Sequence, residues 1–179
     1  MLKYFTFIFF FFAINLSHSN ESELDNYFEL LKKAPNSQSA KVYEKEIWNY
    51  WISNGSSDKS NEIMQQGMKL MNEGKLKSAL RTFSDLSKED PQWAETWNKV
   101  ATIRYLLGDF YGSIRDIQST LVLEPRHFGA IAGLTQINIA LGRYKEALQS
   151  LDQAILIYPY ISIKSLRPMI IDMISKSEV

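Results

Sequence analysis

Few side chains in this 179-residue sequence are of the types that make or break bonds. There is no cysteine, so a thiolate nucleophile, a disulfide and a thiolate-held metal are all excluded. The two histidines are His18, between Ser17 and Ser19, and His127, which follows Arg126. Arg126 and His127 beside an acid could serve proton transfer and charge stabilisation. A lone histidine next to a turn also reads as a hydrogen-bonded turn residue, the simpler role. No HExxH pattern, glycine-rich phosphate loop or paired-histidine metal site occurs. Glu89-Asp90, an acidic pair, reads as a solvated or dipole-pairing charge at a helix end. A carboxylate dyad assembled from distant parts of the chain is the other route to catalysis. The expectation is a chain with no catalytic residues, no metal and no cofactor.

Charge narrows the partners. Lysine plus arginine number 20 and aspartate plus glutamate 20, with no basic cluster, so neither nucleic acid nor an anionic membrane surface is indicated. Residues 1–19 read as a signal peptide: Lys3 supplies the positive start, residues 4–14 a short apolar run, and Ser17-His18-Ser19 the small residues of a cleavage site. The run is shorter than the roughly 20 apolar residues that span a bilayer, so no stable membrane anchor is expected after cleavage. Retention of the segment as an anchor is the alternative. Cleavage takes Lys3 away and leaves 19 basic against 20 acidic side chains, a near-neutral periplasmic or secreted protein.

The elements that would position any site are punctuated by glycine and proline. Gly74, Gly108 and Gly142 stand 34 residues apart, and so do Pro91, Pro125 and Pro159. A fixed period of this length marks a repeated supersecondary unit whose apolar face is buried by its neighbours. Three units follow, 60–93, 94–127 and 128–161, each with two helices joined at the glycine, where a left-handed cap conformation is needed. Each proline begins, or just precedes, the next first helix, where its missing N–H costs little. Ahead of the array, residues 20–59 predict a helical hairpin and a loop. Leu24, Tyr27, Phe28 and Leu31 make one apolar stripe, and Tyr43, Ile47, Tyr50 and Trp51, with Trp48 alongside, make another. Residues 53–60 are polar and glycine-broken, a loop. The hairpin is expected to shield the open end of the first repeat, with an aromatic docking surface as the alternative. Residues 162–179 carry Ile163, Leu166, Ile170, Ile171 and Ile174 on one helical face, a closing helix that Pro168 either kinks or restarts.

The pattern resembles the tetratricopeptide repeat (TPR) family, whose repeat reads W-x2-L-G-x2-Y, then A-x3-F, then P. The first unit matches with Gly67, Ala79, Phe83 and Pro91; the second with Trp97, Ala101 and Pro125; the third with Ala147, Ala154 and Pro159. Arg104 and Asn138 stand at the usual aromatic position, Ser113 replaces an alanine and Thr135 a glycine or alanine. The whole chain after the signal, including residues 40–55, 93–99 and 124–130, also resembles small exported TPR proteins of alphaproteobacterial type. The resemblance implies an all-α, right-handed solenoid of helical hairpins: three TPR units, an N-terminal helical hairpin and a C-terminal capping helix.

It also implies a groove lined by the first helices. Carried over position by position, the groove residues are Asn61, Met64, Met68 and Met71 in the first unit, Glu95, Asn98, Thr102 and Tyr105 in the second, and Gln136 in the third; the remaining groove-facing positions hold Asn72, Leu106, Gly129, Ala132, Ile139 and Ala140. The methionines suit varied apolar side chains and Asn98 and Gln136 a peptide backbone; core methionines are the alternative reading. Chaperone-tail TPR proteins hold a carboxylate with lysine, asparagine and arginine. The matching positions here are Met64, Met68, Lys99, Gly129 and Gly133, so that clamp is missing. The functional expectation is a non-catalytic exported adaptor binding a peptide segment of an envelope protein. The rivals are a structural subunit, self-associating or built into an envelope assembly through its terminal caps, and an enzyme built on Arg126 and His127.

Overall fold

The computed structural model describes residues 23–177. The expected signal peptide, 1–19, lies outside the described residues. Among them the chain is helical throughout and divides into two compact units, one ending at Ile47 and the other beginning at Trp48.

The first unit holds a helix over residues 23–32 (α1) and the start of α2, Ser37–Ser53. Leu24, Phe28 and Leu31, spaced for one helical face, are buried. Asn36 caps α2 by accepting the Ser39 N–H at 2.9 Å, relieving a donor that has no partner within the helix. The expected hairpin is therefore present as two helices.

The second unit contains the last turn and a half of α2 and three helix pairs. These are α3 (Asp58–Asn72) with α4 (Leu76–Glu89), α5 (Ala94–Leu106) with α6 (Phe110–Leu123), and α7 (Phe128–Ala140) with α8 (Tyr144–Ile157). From α3 to α8 each helix packs on the next, and α5 also packs directly on α7, so that the first helices of the second and third pairs lie side by side. This is a helical-hairpin solenoid. Gly74, Gly108 and Gly142 all take positive φ, 72°, 81° and 70°, at the turn within each pair. Pro91 and Pro125 lie in the turns three residues ahead of α5 and α7.

The core repeats with the same period. Ala79, Ser113 and Ala147 are fully buried, as are Phe83, Ile117 and Leu151 one turn further on. Gly67 faces Phe83 so closely that a Cβ there would stand 2.5 Å from the ring, which is why the paired helices need a small residue. The two hydroxyl residues that replace small ones, Ser113 and Thr135, are absorbed by backbone carbonyls. Ser113 Oγ donates to the Ala101 carbonyl at 2.7 Å, and Thr135 Oγ1 to the Ile131 carbonyl at 3.1 Å. Arg104, at the usual aromatic position, reaches Asp116 at 3.1 Å.

The closing segment is a 3-10 turn, Ser162–Leu166, followed by α9, Arg167–Ser177. Pro168 thus falls in the first turn of a restarted helix, where no helical N–H is lost. Ile170 is fully buried, and Ile163, Leu166 and Ile174 pack with it against Ala147 and Leu151. Ile171 is a correction to the expected face: it is 40% exposed, one residue off the buried stripe. Among the described residues no helix is long and apolar enough to cross a membrane.

Candidate binding cleft

The sequence places Asn98, Thr102 and Tyr105 at i, i+4 and i+7 of α5, and Gly129, Ala132 and Gln136 at i, i+3 and i+7 of α7. Each set shares one helical face. Because α5 and α7 lie side by side, the two faces meet in a cleft of about 190 Å³. Ala101, Ser113, Ile117, Ala130, Gly133 and Ile137 complete its lining. The floor is apolar and largely buried; Gln136 is exposed at the edge, and Tyr105 is half-buried beside Phe110, their ring centres 5.7 Å apart. Small residues on α7 leave the volume open, and short polar side chains line it. Such a surface holds a chain by shape and apolar contact, with a few hydrogen bonds to set register.

Five of the nine predicted groove residues are elsewhere. Met64 is fully buried in the core formed with Phe83, Leu86 and Ile103, and Met68 and Met71 pack partly buried against the same cluster. Their spacing fits a core stripe as well as a groove stripe, and burial of apolar surface decides between them. Asn61 accepts the Gly55 N–H at 3.0 Å and so ties down the loop before α3. Glu95 is the largest correction. At the first turn of α5 it is fully buried rather than facing an open groove.

Glu95 sits in a sealed polar cluster. Its Oε1 pairs with Lys99 Nζ at 2.7 Å, and its Oε2 accepts from His127 Nε2 at 2.8 Å and Asn98 Nδ2 at 3.0 Å. Burial alone would raise the Glu95 carboxyl, but Lys99 and His127 together outweigh it and hold it below the ordinary carboxylate range. His127 also caps α7, its Nδ1 accepting the Ala130 N–H at 3.1 Å. The expected turn role is thus present, together with a buried partner 32 residues away. Both ring nitrogens are occupied and the side chain is fully buried, so this histidine meets no substrate in this arrangement. Arg126 instead forks onto Glu124, at 3.0 and 3.1 Å.

The lid of this cluster comes from α2. Trp51 stacks on the His127 ring, centroids 3.9 Å apart at 9°, and Trp48 meets the edges of His127 and Phe128. Lys99 Nζ lies 5.6 Å from the Trp48 ring centre, and the Trp51 carbonyl accepts from Trp93 Nε1 at 2.6 Å. Gly129 makes room for Trp48, since a Cβ there would fall 2.5 Å from the indole. The two tryptophans lie across the starts of α5 and α7, over the buried Glu95–His127 pair, while Ile52 beside them packs on the core of the first repeat. Their aromatic character was visible in the sequence, but their partner was not, because the contact joins residues about 76 positions apart.

No protein-family profile matches the chain. A TPR repeat-containing protein of Rhizobium etli is 32% identical over 145 residues, covering 81% of this chain and 71% of that protein. The BBSome complex member BBS4 homolog of Drosophila melanogaster is 27% identical over 93 residues, 52% of this chain but 19% of that protein. Among solved structures, the first TPR of Spaghetti (RPAP3) bound to an HSP90 peptide superposes with a TM-score of 0.64 at 17% identity, over 68% of this chain and 97% of the other. The Yersinia enterocolitica type III secretion chaperone SycD, in complex with a peptide of the translocator YopD, gives 0.58 at 19% identity, over 68% and 93%. At such identities the structural likeness is one of fold. Helix pairs with a 34-residue period, glycine turns of positive φ and a relative of this identity and coverage together place the protein: the chain belongs to the tetratricopeptide repeat family.

Proposed function

We propose that the protein is a non-catalytic, exported TPR adaptor that holds a peptide segment of an envelope protein in the cleft between α5 and α7. The observation that carries this reading is the convergence of Asn98, Thr102 and Tyr105 with Gln136 over an apolar floor made by two neighbouring repeats. Support also comes from relatives in fold: SycD was solved with a peptide of YopD, and Spaghetti with a peptide of HSP90. The signal-like composition of residues 1–19 supports export, and an envelope partner follows from that address. The test is in-cell crosslinking from a photoreactive residue at Tyr105, with Gln153, exposed on α8, as control. The expected result is one protein captured from Tyr105 and not from Gln153. Equal capture from both, or capture of the protein itself alone, contradicts the adaptor.

A second reading, a structural subunit, is favoured by Val122 and Leu156. They are 81% and 73% exposed at equivalent positions of α6 and α8, one period apart. It predicts a stable oligomer or co-purifying complex that Val122→Ser with Leu156→Ser dissolves. Sedimentation as a lone monomer at high concentration contradicts it.

A further inference from the structure

We infer that the bound segment places a lysine or arginine side chain in the cleft between α5 and α7, and that the cleft disfavours a carboxylate. This rests on the cleft being a peptide site, and it follows from the direction of each hydrogen bond around Asn98. His127 Nδ1 accepts the Ala130 N–H, so its ring proton is on Nε2 and is donated to Glu95 Oε2. Glu95, held between that proton and Lys99, is a carboxylate and can only accept. Asn98 must therefore turn its Nδ2 toward Glu95, at 3.0 Å, and its Oδ1 away. Among the described residues that oxygen meets no donor, and it is not sealed from solvent.

Thr102, one turn along α5, donates its hydroxyl proton to the Asn98 carbonyl at 2.8 Å, leaving only lone pairs on Oγ1. Ser113 donates its own to the Ala101 carbonyl at 2.7 Å. Asn98 Oδ1, Thr102 Oγ1 and Ser113 Oγ are thus left as acceptors, and no lysine, arginine or histidine lines the cleft. The start of α7, which would otherwise attract an anion, already has Glu95 and His127 against it. Tyr105, packed beside Phe110, and Gln136, exposed at the edge, offer the cleft a hydroxyl and an amide for a peptide backbone. A basic side chain satisfies the arrangement at both ends. Its methylene stem lies on Ala101, Ile117 and Ile137, its head donates to Asn98 Oδ1 and Thr102 Oγ1, and the Tyr105 ring can face the cation.

The experiment titrates three nine-residue Gly/Ser/Leu peptides into the full isotope-labelled chain. They are identical except for a central lysine, norleucine or glutamate. The side-chain amide signals of Asn98 and Gln136 and the backbone signals of Gly129 and Gly133 report on the cleft. The expected order is lysine first, about fivefold tighter than norleucine, with glutamate weakest. Thr102→Val, which keeps shape and loses the acceptor, should weaken the lysine peptide and leave the norleucine peptide unchanged. Cleft signals that move equally for all three peptides, or most for glutamate, overturn the donor preference while the peptide site stands. Cleft signals that move for none overturn the peptide site and this inference with it.

Discussion

At the scale of single residues, two buried carboxyl groups pull stability in opposite directions as pH changes. Glu95 is held below its ordinary value of 4.5, so its contribution is present above that value and lost as pH falls through the folded one. Asp116 is pushed up from 3.8 to about 6 by burial, which its pairing with Arg104 only partly offsets. Its contribution is complete below 3.8 and lost as pH rises through about 6. Denaturant unfolding across pH 3–8 should therefore separate the two. Glu95→Gln, which leaves Lys99 and His127 facing a neutral amide, should cost about 3 kcal/mol at pH 7 and less in acid. Asp116→Asn should gain on the wild type by about 2 kcal/mol between pH 4 and pH 7. Parallel pH profiles for wild type and both variants would contradict these assignments. The sequence showed His127 as a turn residue and Glu95 as a groove residue. Their pairing was hidden because each lies at the start of a different first helix, and only stacking of those helices joins them.

The glycine turns and small contact positions make their case at the scale of elements. Gly108 has φ 81° and open space where a Cβ would be, so Gly108→Ala tests backbone conformation alone and should cost about 1 kcal/mol. Gly67 lies inside α3 against the Phe83 ring, so Gly67→Ala must push two helices apart and should cost more, about 2–3 kcal/mol. Chemical denaturation of both variants checks the order; a costlier Gly108→Ala would mean that the turn, not the helix contact, limits packing. These elements were legible because glycine, proline and small residues at a fixed period report local geometry directly. Pro168 was legible only as a choice between kink and restart, since that depends on how the preceding 3-10 turn ends. The methionines of α3 were ambiguous for a related reason. A groove stripe and a core stripe have the same 3.6-residue spacing, and only the neighbouring helix decides which one is covered.

For the molecule as a whole, the cleft depends on stacking, since no single repeat contains it. Its walls come from α5 and α7, and its floor includes Ser113 and Ile117 of α6. The far side of the last pair is closed by α9 through Ile170, so Ile170→Ala should lower stability by about 3 kcal/mol in calorimetry or denaturant unfolding. An effect below 1 kcal/mol would show that α9 does not close the stack. The architecture was legible because its period pervades the sequence, whereas the cleft was only half legible: Asn98, Thr102, Tyr105 and Gln136 were named, and Asn61, Met64, Met68, Met71 and Glu95 were named with them. The measurement that bears most directly on the cleft as a binding site is the affinity of the segment captured at Tyr105 for wild type and for Asn98→Ala/Tyr105→Ala. Calorimetry should show binding weakened by about tenfold or more with helical circular dichroism unchanged. Equal affinity for the two proteins would contradict it.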